Sequence, residues 1–216
     1  PTICSQSANG MPYQTVGSLH LDFDGINEYN DYYRDLDIEK AIATTRFTAN
    51  GVTYTREAYT SFPDQVLVIR LTASQKKSIS FTAKYSTPYK SSVIRCISPR
   101  KELQLNGKAN DHEGIEGKVE FTALTRIENN GGKLEILSDS TLQVKDANSV
   151  ILYVSIGTNF VNYKDVSGDA LNSAQQYLKL VNKNYPKSKA SHINAYQKYF
   201  NRVSLNLGSN AQINKP

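Results

Sequence analysis

Asp111, His112 and Glu113 stand side by side in the run Asn110 to Gly114, where a histidine sits among acids. An imidazole between carboxylates can ligate a divalent ion or exchange protons near neutral pH. Consecutive residues rarely converge on one metal, and Gly107, Gly114 and Gly117 mark a loop between strands, so no metal site is expected here. A solvated loop is the expected reading, and Asp111, His112 and Glu113 are the first rim candidates only if a loop of this domain reaches a substrate. Two further acid pairs, Asp22 with Asp24 and Asp35 with Asp37, have i, i+2 spacing, which puts both members of a pair on one face of a strand. Two carboxyl groups can divide a hydrolysis between proton donor and base, yet acids on the polar side of a strand are ordinarily solvated. His20 lies on the polar side of a strand pattern and His192 in a helical one, and both are expected to be surface or packing residues. The sequence contains no nucleophile elbow, phosphate-cradling glycine loop or Ser-His-Asp arrangement.

The elements that must position these residues are mostly strands. Ser18 to Phe23, Tyr33 to Glu39 and Ala41 to Ala49 each alternate apolar and polar side chains, the period of a half-buried strand. Gly51 to Thr60 continues the pattern until Pro63, which has no amide hydrogen to donate and interrupts the ladder. Val66 to Leu71 is apolar on both faces, as a strand buried between two layers is. Ser78 to Ser86, Gly117 to Glu128, Lys133 to Leu137, Thr141 to Lys145 and Ser149 to Gly157 complete the set. Asn50-Gly51 and Asn129-Asn130-Gly131-Gly132 suit tight hairpins because these residues tolerate positive φ. So many closely spaced antiparallel strands can bury their apolar faces only by stacking sheets, which predicts a mainly β fold built on a large antiparallel β-sandwich.

After Val166 the period changes. Ala170, Leu171, Ala174, Tyr177, Leu178 and Val181 recur at three and four residues, predicting a helix within Gly168 to Asn184 that Ser167 caps. Pro186 prevents one continuous helix, and Ser188 to Asn201 carries a second apolar stripe. Val203, Leu205 and Leu207 read as a short strand, and 208–216 as the start of a linker. The expected organisation is a sandwich over 1–166 and a helical linker region over 167–216.

Composition narrows the class. The chain has 216 residues, 39% of them hydrophobic, with 14 Tyr, 7 Phe and no Trp. Aromatic rings without tryptophan suit sheet packing better than a dedicated sugar-binding platform. The formal charge of +5 comes from scattered Lys and Arg, and the densest group, in Lys183 to Lys189, flanks a helix break. No nucleic-acid module is recognisable, so nucleic acid is not an expected partner. No apolar run reaches the ~18 residues needed to span a bilayer, and no membrane partner is expected. Cys4 and Cys96 are too few for a disulfide scaffold, and their spacing leaves open whether they pair. The chain begins Pro1-Thr2-Ile3, which is expected to follow a missing native N-terminus, so a lacking signal segment says nothing about export.

Five segments then carry a family resemblance. Tyr13 to Leu19 (YQTVGSL), Tyr32 to Asp37 (YYRDLD), Gly51 to Val66, Gly157 to Phe160 and His192 to Leu207 (HINAYQKYFNRVSLNL) follow one another in order and spacing. Together they resemble the N-terminal domain of glycoside hydrolase family 95, known for α-L-fucosidases. Thr15 departs from the family's usual proline, Ser18 from its aspartate, and Ala195 from the acid before the tyrosine. The resemblance implies a supersandwich followed by two linker helices and a short strand, leading to an (α/α)6 barrel absent from this chain. Inverting glycosidases place an acid and a base on either side of the scissile bond. By resemblance both groups belong to the barrel, so no residue here is assigned a catalytic role, and no cofactor or metal is implied. The implied function is that of a non-catalytic domain of an enzyme removing terminal α-L-fucose, α-1,2-linked and with inversion. The alternatives are an α-L-galactosidase, or a stand-alone carbohydrate-binding or structural sandwich. The implied partners are a fucosylated oligosaccharide, met through the parent enzyme, and the intramolecular barrel, in a periplasmic or extracellular setting.

Overall fold

The computed structural model describes residues 13, 15–23, 25–112, 114–205 and 208. Among these residues, twelve strands and two helices form three layers. The first layer is a four-stranded sheet made of β1 (Ser18–Asp22), β6 (Ile79–Ser86), β11 (Thr141–Ala147) and β10 (Lys133–Ser138), in that order. The second is an eight-stranded sheet. Its strands β2 (Asn30–Asp37), β3 (Ile42–Ala49), β4 (Val52–Ser61) and β5 (Val66–Ala73) form a meander. It continues through β12 (Ser149–Thr158), β9 (Glu120–Asn130), β8 (Glu102–Lys108) and β7 (Val93–Ile97). Every neighbouring pair in both sheets is antiparallel. The third layer is α1 (Ala170–Leu180) and α2 (Tyr185–Phe200), on the outer side of the large sheet.

Strand alternation explains the layering. On β6, Ile79, Phe81, Ala83 and Tyr85 are buried between the sheets, where they meet Leu103, Leu105, Phe121, Leu142, Val144 and Leu152. On β5, Val66 and Val68 face the helices, while Ile69 and Leu71 face the other sheet. Burial on both faces is therefore a property of β5, as its continuous apolar run predicts. β12 shares it, with Val150 and Leu152 turned inward and Ile151 and Tyr153 turned to the helices.

The turns follow local chemistry. Asn50 (φ 51) and Gly51 (φ 74) both adopt positive φ between β3 and β4, the geometry that lets a tight hairpin match strand twist. Helix α1 is capped by Asp169, whose carboxylate accepts from the Asn172 amide at 2.9 Å, and not by Ser167. An aspartate at N-cap satisfies an orphan amide and also faces the positive end of the helix dipole. Helix α2 begins at Tyr185, earlier than the apolar stripe indicates, because Asn184 caps it and Pro186 fits in the first turn.

Three expectations are corrected. Strands β7 and β8 lie where no strand was expected, and Gly107, read as marking a loop, belongs to β8. A Cβ at Gly107 would fall 2.3 Å from the Phe121 ring, so the glycine marks close packing and not a turn. β9 begins at Glu120, not Gly117. The closing strand is not formed at Val203 and Leu205, which are irregular and exposed, and Leu207 lies outside the described residues.

Candidate functional site

The two sheets differ in width, and that leaves a concavity beside the narrower one. No residue of β2, β3 or β4 belongs to the core between the sheets, so the inner face of this meander extends past the four-stranded sheet. A cleft of about 740 Å³ opens there, between that face and the segment following β1. Alternation places Ala43, Thr45 and Phe47 of β3, and Arg56 and Ala58 of β4, in its wall. Phe47 stacks on Tyr54 with ring centroids 5.3 Å apart, and Tyr29 meets Phe47 edge-on at 5.9 Å and Tyr32 at 5.7 Å. The Arg56 guanidinium sits 5.8 Å from the Phe23 ring centroid. Burial depresses the Arg56 pKa, because the charged form loses solvation there.

Glu57 points the other way, as adjacent strand residues must. It accepts hydrogen bonds from Tyr185 at 3.0 Å and from Lys189, with Arg70 at 3.8 Å. Burial raises the Glu57 pKa, but the bonds from Lys189 and Tyr185 outweigh it and hold the carboxyl below its ordinary value. Burial, and then the same carboxylate, push the Tyr185 hydroxyl pKa upward. Beside this cluster, buried Asp64 accepts from Ser61 at 2.6 Å and from Ser188 at 2.9 Å. His192 stacks on Tyr59 at 4.6 Å, and its Nε2 donates to the carbonyls of Lys40 (3.0 Å) and Ala41 (3.2 Å). These residues lock α2 to β4 and to the turn before β3, so they are structural.

The sequence-derived candidates fall elsewhere. Asp111 accepts from the Gly117 amide at 2.9 Å, closing the neck of the loop between β8 and β9. The backbones of His112 and Ile115 exchange two hydrogen bonds at the exposed tip, and Glu113 lies outside the described residues. Asn159 ties this loop to the next by accepting from the Glu120 amide at 2.8 Å and donating to the Lys118 carbonyl at 3.1 Å. That second loop exposes Phe160, Val161 and Tyr163. Among the acid pairs, Asp22 bridges to Lys84 at 2.8 Å while Asp24 lies outside the described residues. Asp37 is engaged by Lys40 at 2.6 Å within a turn, and Asp35 is exposed. His20 bonds Ser86 at 2.7 Å. Lys183 and Lys189 of the basic group pair with Glu128 and Glu57. Cys4 lies outside the described residues, and burial pushes the Cys96 thiol pKa up. Among the described residues no three His, Cys, Asp or Glu side chains converge on a metal position, and no helix is long and apolar enough to cross a membrane. Sequence reasoning missed the cleft. Its signal, rings at 29, 32, 47 and 54 with arginines at 34 and 56, spreads over four segments that only sheet pairing brings together.

The chain folds as a large antiparallel β-sandwich with two helices packed on its wide sheet, a domain associated with carbohydrate-active enzymes. The chain belongs to the family described as the glycosyl hydrolase family 65 N-terminal domain, which matches residues 2–163. It is 30% identical to α-L-fucosidase 2 of Arabidopsis thaliana across 94% of this chain and 27% of that protein. It is 24% identical to a probable α-fucosidase A of Aspergillus niger across 90% of this chain and 26% of that protein. The chain thus spans about a quarter of the length of these relatives. A putative kojibiose phosphorylase from the human microbiome shares the fold, with a TM-score of 0.51 at 14% identity over 85% of this chain and 27% of that one. The common ground is an N-terminal sandwich related to both the family 65 and the family 95 types.

Proposed function

We propose that this chain is the N-terminal sandwich of a family 95 type enzyme that hydrolyses terminal α-1,2-linked L-fucose with inversion. The observation that carries it is the alignment with two α-fucosidases along 94% and 90% of the chain, over a like share, 27% and 26%, of each relative. The docked helices support an N-terminal placement. They cover the wide sheet and end near exposed Leu180, Tyr199, Val203 and Leu205, an apolar margin suited to a following domain. In this proposal the sandwich spans 1–166, and 167–216 leads to an (α/α)6 barrel holding the catalytic acid and base. The loop carrying Asp111, His112 and Glu113 lies at the rim of the substrate pocket, and the enzyme is exported to the periplasm or beyond.

The test is to read the gene past Pro216, express the full-length protein, and assay α-1,2-fucosyl and α-L-galactosyl disaccharides while following the first anomer by NMR. Release of β-L-fucose is expected. L-galactose and L-fucose differ only at C6, so preferential cleavage of the galactosyl substrate would reassign the sugar. No cleavage of either, or a gene without a barrel-like helical repeat, would overturn the proposal.

A further inference from the structure

Among the described residues, the cleft on β2, β3 and β4 holds two cations with no ion-pair partner. Arg34 and Arg56 both line it, and among the described residues no carboxylate lies within ion-pairing distance of either. Arg56 is half-buried, its Nε fully so, and no protein acceptor reaches that Nε. A buried guanidinium N–H is costly unless an acceptor satisfies it. Phe23 does not supply one. A ring beneath the guanidinium offers its π face to the charge, but takes none of the in-plane N–H donors. Asp22, the carboxylate in the described lining, is committed to Lys84.

The remaining lining fixes the shape of the ligand. Tyr29 and Tyr32 are 61% and 54% exposed, so their faces are accessible at the mouth of the cleft. A ring with an apolar C–H face can stack on them while an anionic substituent reaches inward to the arginines. The 740 Å³ volume is within the range of small-ligand sites. An arginine fork matches a planar carboxylate with two parallel hydrogen bonds. We infer that this cleft binds a saccharide unit that carries a carboxylate, with Arg34 and Arg56 holding the acid and Tyr29 and Tyr32 stacking on the ring.

Calorimetric titration of the full-length protein with trigalacturonate, with its methyl ester and with a sialyl trisaccharide tests this and distinguishes hexuronates from nonulosonates. The expected result is saturable binding of at least one acid saccharide, weakened tenfold or more by methyl esterification. Arg56→Met, which keeps the stem packed near Phe23, and Arg34→Gln, on the rim, should each weaken it similarly without altering the melting temperature appreciably. If Arg56→Met unfolds the protein, Arg34→Gln alone decides the charge dependence. Absence of binding by any acid saccharide, including because another part of the full-length chain fills the cleft, would overturn the inference. So would equal binding of acid and ester, or affinity unchanged in Arg34→Gln. Cleavage of fucosyl substrates is a separate readout and does not bear on the outcome.

Discussion

Glu57 holds sheet and helix together through charge. Its side chain is 21% exposed and receives Tyr185 and Lys189 on its two oxygens, so a neutral substitute leaves Lys189 poorly paired. Glu57→Gln should destabilise the fold by about 1.5–3 kcal/mol at neutral pH, the range for hydrogen bonds to a charged group. The pH dependence has a definite sign. The carboxyl's pKa is lower folded than unfolded, so its contribution is full above its ordinary value of 4.5 and is lost as pH falls through the folded pKa. Urea unfolding of both proteins at several pH values should show a gap at pH 7 that closes below about 4.5. A pH-independent gap would mean that shape, and not charge, is what Glu57 supplies. That Arg56 and Glu57 face opposite ways follows from the strand pattern of Gly51 to Thr60 alone, since strand parity is a local property. That pattern could not show which partners they meet, because Lys189 and the cleft come from distant segments.

Helix α1 reaches β12 through a gap where a side chain is missing. A Cβ at Gly157 would lie 2.2 Å from the Ala170 carbonyl oxygen and 2.7 Å from the Ala174 amide nitrogen. Gly157→Ala must therefore push the helix from the sheet, at about 1–3 kcal/mol for overpacking. Ile156→Ala, at the 46% exposed neighbour, should change stability by less than about 0.5 kcal/mol. Thermal unfolding of both variants checks this, and a wild-type melt for Gly157→Ala would show that the helix does not sit so close. Strands whose alternation is strongly apolar, such as β5, β6 and β12, were legible in sequence. β8 was not, because Glu102, Gln104 and Asn106 occupy its helix-facing side and resemble a solvated loop. They are tolerated there because Arg126 bonds Glu102 at 2.8 Å while Asn106 accepts from Gln104 and Thr122, both at 2.8 Å. Such satisfaction of buried polar groups is a tertiary fact that no periodicity reports.

At the scale of the molecule, the helices complete a second core. Tyr59, Val66, Val68, Leu124 and Tyr153 are buried beneath Ala174, Leu178, Val181 and Tyr185. A chain ending at residue 166 would expose this apolar face, and we expect it to be insoluble or to bind a hydrophobic dye strongly. A monomeric fragment with a wild-type melt would show instead that the sandwich stands without its third layer. The strand order has a consequence for how the chain is made. β12 pairs with β5 on one side and β9 on the other, and among the described residues it is the last strand in sequence. The wide sheet is thus two halves, β2 to β5 and β7 to β9, each assembled from neighbours in the chain. During synthesis both halves carry an open edge on β5 and β9 until residues 149–158 have left the ribosome, and one strand then seals the two together.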